Sequence, residues 1–381
     1  MDSTPDLSAA AASSAPEPGC SAPAVPSPVP GPEAPGAGAG IPPLPVNEPF
    51  RFHGEAREYF RIWIVNTLLT LLTLGVFFAW AKVRKRRYLR GCCELMGHRF
   101  DYRADPRRIL VGNLIAVMFF LAYSVFGAVY PAVQFGTIGV GLLLLPWIVA
   151  RSFSFNAHNT VYRGIRFRFH GSLGAATWTF LLLPLAIILS LGAYYPAWAR
   201  ARQEYVVTNH RLGDAYFRFT ARTKPYYLAY LTAAGVLVVS ALLTGFIIAG
   251  LTARLGGPVP QAAMVGVTLV VYGGGLFVSR QLVHAWLFNH VWNHTFLDEH
   301  RFEARMQTSR WLGLQVTNLL AIVASAGLLA PWATIRSHRY TASCLSFVPA
   351  GPVERIERMG GASGSATGDS AAEVIGLDFG F

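Results

Sequence analysis

Two histidines one helical turn apart are the first candidates for chemistry. His290 and His294 have i,i+4 spacing, and Asp298 and His300 follow closely. This spacing can place two imidazoles on one metal ion. A zinc-protease helix would need a glutamate where Val291 stands, so a general base is missing. We therefore expect these histidines to be hydrogen-bonded structure, and we expect no catalytic residue, metal or cofactor.

Several polar side chains lie within or at the ends of apolar segments. The candidates for a polar path are Asn66, Thr70, Thr73, Asn318, Arg280 and His284. Ionisable groups at membrane depth are frequently functional, whereas asparagine and threonine commonly hydrogen-bond between helices. Both interpretations stay open. The three glycines at 273–275 have no following Lys-Ser or Lys-Thr, so they do not predict a phosphate-binding loop.

A dense basic run forms a third candidate. Its cations are Lys82, Arg84, Lys85, Arg86 and Arg87. Each cation near a membrane surface contributes about 1 kcal/mol to the attraction of anionic lipid headgroups. The same run is also a topogenic signal, because cytoplasmic loops are enriched in lysine and arginine. We expect contact with the bilayer and with anionic lipids, and no nucleic acid partner.

The composition identifies the environment of these residues. Only 14% of the 381 residues are charged, 53% are hydrophobic, and the mean hydropathy is +0.38. Soluble domains carry about a quarter charged residues. The net charge of +12 comes largely from cations beside apolar runs. Four cysteines without a CxxC pair predict no disulfide framework.

Seven apolar segments approach the length that a membrane-crossing helix needs, about 20 residues. They are 62–81, 109–131, 134–150, 173–198, 226–250, 262–279 and 311–335. Tryptophan and tyrosine cluster at their ends, as expected where rings meet lipid headgroups. None of the segments contains Asp or Glu, which argues against a carboxylate-based proton carrier.

The chain contains three similar units. Phe50-Arg-Phe-His-Gly54 recurs letter for letter as Phe167-Arg-Phe-His-Gly171, and each copy continues through an apolar stretch to a Trp-Ala and basic residues. A third copy lacks the opening motif but repeats Asn66, Gly75 and Trp80 at an offset of 252 residues. The predicted units cover about 50–104, 165–221 and 300–347, separated by transmembrane hairpins at 109–150 and 226–279.

These motifs resemble a known family. The Phe-x-Phe-x-Gly opening, Thr73-Leu-Gly75, Trp80-Ala-Lys-Val-Arg84 and Gly97-His-Arg-Phe-Asp-Tyr102 are similar to those of the YjgN-like bacterial inner-membrane proteins. The resemblance covers about residues 50–350. It implies a multi-pass protein of the bacterial inner membrane and no established activity, because that family is a domain of unknown function.

The distribution of cations conflicts with seven simple spans. Basic residues in 151–172 and in 199–225 flank a single apolar stretch, and both should be cytoplasmic. The conflict disappears if the two hairpins cross the membrane while the three units enter and return. Re-entrant backbone is tolerated where it packs against protein. Re-entrant and fully spanning units are both left open.

The sequence therefore predicts an all-α polytopic membrane bundle with three pseudo-repeats, either re-entrant or spanning, and small cytoplasmic β elements. Residues 1–49 and 351–381 are expected to be disordered tails around a membrane domain at 50–350, with both termini cytoplasmic. The leading function is transporter-like or channel-like and non-enzymatic. The alternative is a scaffold or an anionic-lipid-interacting protein without transport, and a membrane enzyme is a weaker third. The oligomeric state does not follow from the sequence.

Overall fold

The computed structural model describes residues 47–350. Of the predicted tails, 1–46 and 351–381 lie outside this range. Residues 47–49 lie inside it, and Glu48–Pro49 forms a strand.

The helices are arranged as five pairs, and three of the pairs are short. Pair 1 consists of α1 (Ala56–Leu72) and α2 (Phe78–Gly91). Pair 3 consists of a first helix, built from α5 (Leu173–Thr177), a π-helical turn (Trp178–Leu182) and α6 (Leu183–Leu189), followed by α7 (Tyr195–Thr208). Pair 5 consists of α11 (Thr308–Ala324) and α12 (Ala330–Ser343).

The other two pairs are long. Pair 2 consists of α3 (Pro106–Val129) and α4 (Pro131–His158). Pair 4 consists of α8 (Lys224–Leu255) and a second helix built from α9 (Gln261–Val267), a π-helical turn (Thr268–Tyr272) and α10 (Gly273–Trp292). Within the described residues these pairs provide four helices long and apolar enough to cross a membrane.

Short strands connect the pairs. They are β1 (Glu48–Pro49), β2 (Arg51–Phe52), β3 (Cys93–Leu95), β4 (His98–Tyr102), β5 (Thr160–Tyr162), β6 (Ile165–Phe169), β7 (His210–Leu212), β8 (Ala215–Phe219), β9 (Thr295–Leu297), β10 (His300–Ala304) and β11 (Leu345–Val348). All neighbours pair antiparallel, in the order β1-β11-β10-β9-β8-β7-β6-β5-β4-β3-β2.

The sheet nearly closes into a ring. Its first and last strands, β1 and β2, are separated only by Phe50, whose backbone N–H donates to the carbonyl of Leu345 at 3.0 Å. Each helix pair leaves one strand and returns to the next. Because these strands are antiparallel neighbours, both ends of every pair attach to the same edge of the ring. Helix α12 packs on α1, so the helices also close a circle.

The interior of the ring is filled with apolar side chains. One buried cluster joins residues from strands around the whole sheet, including Leu95, Tyr162, Leu212 and Phe347. Phe302 is at its centre, with its ring centroid 5.2 to 6.5 Å from four other aromatic rings, those of Phe50, Phe217, Trp292 and Phe347. The alternation of aromatic and polar residues along the strands produces this filling, because alternate side chains point to opposite faces.

The predicted fold class is therefore wrong in its β content. We expected an all-α bundle with small β elements, and the strands instead build one eleven-stranded, nearly closed sheet. The error has a physical cause. Each strand is two to five residues long. Half of the strand pairings join two strands that are separated in the sequence by a complete helix pair, so local sequence does not reveal them.

The two helices of each short pair are connected by the same type of turn. Leu74, Leu191 and Ala326 have φ of 48°, 50° and 49°, and the glycine that follows each has φ of 93°, 90° and 92°. The glycine amide donates to the carbonyl five residues earlier in each case, for example from Gly75 to Thr70 at 2.8 Å. Such a left-handed ending is how helices commonly terminate before glycine.

Truncating the central ring residue should unfold the sheet more easily. Phe302 is 7% exposed, and Phe→Ala changes in cores cost about 3–5 kcal/mol. We expect Phe302→Ala to lower the stability by that amount in detergent-solubilised protein, measured by denaturant unfolding. Phe135→Ala, at a position 73% exposed on α4, is the matched control and should have little effect. Equal losses in both variants would contradict a packed ring core.

Candidate functional site

Asn66 holds an arginine against its own helix pair. The Asn66 side chain is 8% exposed. Its Nδ2 donates to the carbonyl of Ala81 at 3.3 Å, and its Oδ1 accepts a hydrogen bond from Arg84 at 3.4 Å. Both partners belong to α2, so the amide links the two helices of pair 1.

Pair 5 repeats this arrangement. Asn318, 3% exposed, donates to the carbonyl of Ala333 at 3.4 Å and to Ser337 Oγ at 3.0 Å. Its Oδ1 accepts from Arg336 at 3.1 Å, and Arg336 also donates to Thr317 Oγ1 at 2.6 Å. We call these two arrangements the Asn–Arg clamps. A guanidinium close to an apolar turn needs such partners, because an unpaired charge there is costly.

The threonines of the predicted path bond within their own helix. Thr70 Oγ1 donates to the carbonyl of Asn66 at 2.6 Å. Thr73 Oγ1 donates to the carbonyl of Leu69 and accepts from the Phe77 amide at 2.9 Å. Ser190 and Ser325 accept from the backbone at the equivalent turn positions. Thr73 therefore caps a turn.

The other two path candidates lie in pair 4, on α10. His284 stacks on Trp311 of pair 5, with ring centroids 4.7 Å apart, and the neighbouring Gln281 accepts from Trp311 Nε1 at 3.0 Å. Arg280 is exposed on the same helix. The structure thus distributes the six path candidates over pairs 1, 4 and 5, and a polar path through them stays a prediction.

The basic run on α2 is divided between protein contacts and the surface. Arg86 donates to Asn156 Oδ1 at 2.6 Å, and Arg87 donates to the carbonyl of Tyr102 at 3.3 Å. The Lys82 ammonium lies 5.9 Å from the centroid of the Phe78 ring. Lys85 is exposed, as are Arg84 and Arg87, so these three cations can also meet lipid headgroups.

His290 and His294 contact each other and backbone carbonyls of the protein. Their ring centroids lie 4.4 Å apart. His290 Nε2 is 3.1 Å from the carbonyl of Arg222, and His294 Nδ1 is 2.8 Å from the carbonyl of His290. Across residues 47–350, no cluster of three or more His, Cys, Asp or Glu has the geometry for a metal ion.

Pair 3 contains a cleft of about 430 Å³ that the sequence did not predict. It lies between the first helix of the pair and α7. Its lining residues used below are Trp178, Thr179, Leu183, Tyr194, Ala197, Arg200, Ala201, Glu204, Tyr205, Thr208, Asn209 and Thr223. The π-helical turn Trp178–Leu182 forms part of one wall, and such turns are frequent at functional sites.

The cleft occupies the place of a missing clamp. Pair 3 follows pair 1 at a constant offset of 117 residues, from Ala56 to Leu173 and from Phe78 to Tyr195. By this offset Leu183 stands at the position of Asn66, and Ala201 stands at that of Arg84. Ala197 likewise replaces Trp80. Two alanines in place of an arginine and a tryptophan leave space on this face of α7.

The polar groups of the cleft are concentrated near the ring. Arg200 donates to the carbonyl of Ala221 at 2.7 Å and to Glu204 Oε1 at 3.1 Å. The two side chains are 27% and 40% exposed, so they are accessible from the cleft. Tyr205 is 4% exposed, and its hydroxyl has no hydrogen-bond partner among the described residues. Its oxygen is enclosed by the protein beside Gly171, so a group bound in the cleft does not reach it.

A signal for the cleft was present in the sequence. The second unit departs from the first by losing the asparagine and the arginine of the clamp, and it places Glu204 four residues after Arg200. Aligning the units at the constant offset of 117 would have shown both changes.

Comparison with known proteins gives the family. The model of the family described as "Bacterial protein of unknown function (DUF898)" matches residues 47–374. The chain belongs to this family. The Inner membrane protein YjgN of Escherichia coli K12 is 33% identical over 147 residues, and that of Salmonella typhimurium LT2 is 28% identical over 146 residues. This confirms the resemblance to YjgN-like proteins and agrees with a location in the bacterial inner membrane.

These matches are partial in length. The aligned segment covers 38% of this chain and 37% of each YjgN relative. No solved structure matches the chain.

The clamp in pair 5 should behave as one coupled unit. Asn318→Leu removes the amide from Arg336, and Arg336→Ala removes the charge. Each should cost about 1–3 kcal/mol, because a buried polar group loses its partner. The double variant should lose less than the sum, because Leu183 and Ala201 coexist at these positions in pair 3. Denaturant unfolding of all four proteins measures the coupling.

Leu183→Asn is the converse control, since it adds an amide to pair 3 without an arginine at position 201. We expect it to destabilise the protein. Strict additivity in the Asn318 and Arg336 cycle would show that the clamp is not an energetic unit.

Proposed function

We propose that the protein is a lipid-binding protein of the inner membrane, with pairs 2 and 4 crossing the bilayer and pairs 1, 3 and 5 entering only the leaflet next to the ring. The exposed apolar turns of the short pairs are the observation that carries this proposal. Leu74 is 95% exposed, Leu191 is 97% exposed, and Leu328 is 53% exposed. Side chains of this type at the tips of helices belong in hydrocarbon.

Helix lengths support the same placement. The 17-residue α1 and α11 extend about 25 Å from the ring, and the 14-residue α2 and α12 extend about 21 Å, at 1.5 Å per residue. A part of this length carries charges such as Arg57 and Arg61. The remainder is too short for the ~30 Å of a bilayer core. The 32-residue α8 is long enough to cross completely.

The charges support a cytoplasmic ring and cytoplasmic termini. Basic residues concentrate at the ring and at the helix ends that adjoin it. At the far ends of pairs 2 and 4, around residues 130 and 256, the sequence has one basic residue, Arg254. Cytoplasmic segments are enriched in lysine and arginine. Residues 48 and 348 lie in paired strands or beside them, so both described ends of the chain are on the ring side.

Lipid headgroups at that surface would meet the exposed cations Arg84, Lys85 and Arg87 of α2. We propose anionic lipids as partners here, because the cations lie within the helix turns that approach the ring. No catalytic step and no nucleic acid partner is part of this proposal.

We also propose that pairs 1, 3 and 5 are copies of one unit. Their turns have the same φ values and the same hydroxyl cap. In pairs 1 and 5, a tyrosine of the second helix donates a hydrogen bond to the backbone just before the first helix. Tyr88 donates to the carbonyl of Glu55, and Tyr340 donates to that of Gln307. These shared features support the proposed repeat.

A channel along the ring axis is the competing function. The apolar cluster inside the ring, with Phe302 at its centre, favours lipid binding over conduction along that axis. A substrate path between helix pairs would need polar side chains that face one another across pairs. The clamp asparagines bond instead within their own pair.

Cysteine labelling tests the placement of the short pairs. Single cysteines at Leu74, Leu191 and Leu328 should resist a membrane-impermeant maleimide from both sides, in spheroplasts and in inverted vesicles. Gln261→Cys should react only from outside and Glu299→Cys only from inside, because both are exposed at opposite ends of the molecule. Labelling of the Leu191 position from outside would show that pair 3 spans.

The background for this experiment is a chain with Cys20 and Cys344 replaced by serine. Cys92 is fully buried, and burial raises the pKa of Cys93 to about 11, so little of it is the reactive thiolate at neutral pH. In parallel, proteoliposomes of the wild type should release entrapped ions no faster than empty liposomes. Release proportional to the amount of protein would favour the channel.

A further inference from the structure

We infer that the cleft of pair 3 binds one zwitterionic aminophospholipid, with the phosphate at Arg200, the ammonium at Glu204 and the acyl chains toward the turn. This inference rests on the proposed function, because it requires the turn of pair 3 to lie in hydrocarbon. It assigns a ligand class and a site to one of the three short pairs.

The cleft is arranged like a lipid along the membrane normal. On α7 its lining runs from Tyr194 at the turn to Asn209 at the ring, 15 residues or about 22 Å. The end near the turn is lined by apolar groups such as Leu183 and Ala197. The end near the ring is lined by Thr208, Asn209 and Thr223, the last from the start of pair 4.

The charges of the cleft select the headgroup. Arg200 and Glu204 form a pair at 3.1 Å with both side chains partly exposed. A purely anionic headgroup would meet the Glu204 carboxylate, and a cation would meet Arg200. A headgroup with a phosphate and an ammonium complements both, and arginine binds phosphate oxygens well.

The ammonium must also be one that donates hydrogen bonds. Glu204, Thr208 and Asn209 offer oxygen acceptors on one face of α7, which suit the three N–H groups of a primary ammonium. A quaternary ammonium has no N–H group to donate to these acceptors. The site therefore favours ethanolamine-type over choline-type lipid.

The volume of the cleft agrees with this ligand. A cleft of about 430 Å³ is in the usual range for small-molecule sites, about 300–1,000 Å³. It is too small for two whole acyl chains, which would continue past Tyr194 at the turn, a residue 37% exposed.

The experiment measures which lipids the full-length protein retains. The protein is equilibrated with mixed micelles of phosphatidylethanolamine, phosphatidylglycerol and phosphatidylcholine in equal amounts, and retained lipid is identified by native mass spectrometry. The wild type should retain one phosphatidylethanolamine, preferred about tenfold, as expected for a charge-assisted hydrogen bond. Ala201→Trp fills the cleft and should abolish this retention. Ala193→Trp, in the exposed turn of the same pair, should retain it.

Glu204→Gln separates headgroup recognition from simple occupancy. This variant should still retain a lipid but should lose the preference for phosphatidylethanolamine over phosphatidylcholine. If Ala201→Trp fails to fold, Ala197→Phe is the second cleft-filling variant. Water-soluble glycerophosphoethanolamine should not displace the lipid, because it lacks acyl chains; displacement would indicate a site for a free headgroup and would overturn the inference.

Retention of all three lipids alike by the wild type, or unchanged retention by the filled variants, would also overturn it. These failures are distinguishable from failure of the proposed function. If the Leu191 cysteine is protected from both sides and Ala201→Trp has no effect, only the lipid site is wrong. If that cysteine reacts from outside, the placement of pair 3 is wrong as well.

Discussion

The backbone hydrogen bonds of the strand ring determine where every helix begins and ends. Strands of two to five residues are unstable alone, and an open sheet leaves unpaired edges. Closure through Phe50, whose amide bonds to Leu345, leaves almost no edge and brings the ends of the described chain together. Because each ladder is antiparallel, all helix pairs emerge from one edge. The distance that a helix pair extends from the ring then depends on its length, and residues 47–350 contain two classes of pair length.

Much of this could be predicted from residue types, and some could not. The long apolar helices, the glycine turns and the aromatic-polar alternation of the strands are local signals, which the sequence carries within windows of 5 to 25 residues. The ring is not local. Phe100 pairs with Tyr162, and Phe219 pairs with Thr295, across complete helix pairs. The cleft was missed for a different reason, since it arises from side chains that are smaller than their counterparts, and Leu183 and Ala201 carry no motif.

The arginines on the second helices of the short pairs find their hydrogen-bond partners in two different ways. Under the proposed placement, the second helix of each short pair begins in hydrocarbon and ends at the basic ring, so its arginines lie close to that boundary. In pairs 1 and 5, an asparagine of the first helix accepts a hydrogen bond from that arginine. In pair 3, Arg200 and Arg202 lie on either side of the corresponding position. Arg200 donates to Glu204 and to a backbone carbonyl of the neighbouring connection, and the cleft lies beside it.

This difference between pair 3 and the other two short pairs bears on the choice between transport and lipid binding. A protein that transports a solute across a membrane needs a polar route between the two membrane faces. The interior of the ring is instead filled with apolar side chains, phenylalanines among them. The asparagines and arginines of the clamps bond to each other. Lipid handling needs something else, namely a polar pair at the level of headgroups with an apolar groove leading inward from it. The cleft of pair 3 has an Arg200–Glu204 pair and an apolar lining on the turn side. Pairs 1 and 5 have an asparagine–arginine hydrogen bond at the corresponding positions, so pair 3 is the short pair in which the proposal places a ligand.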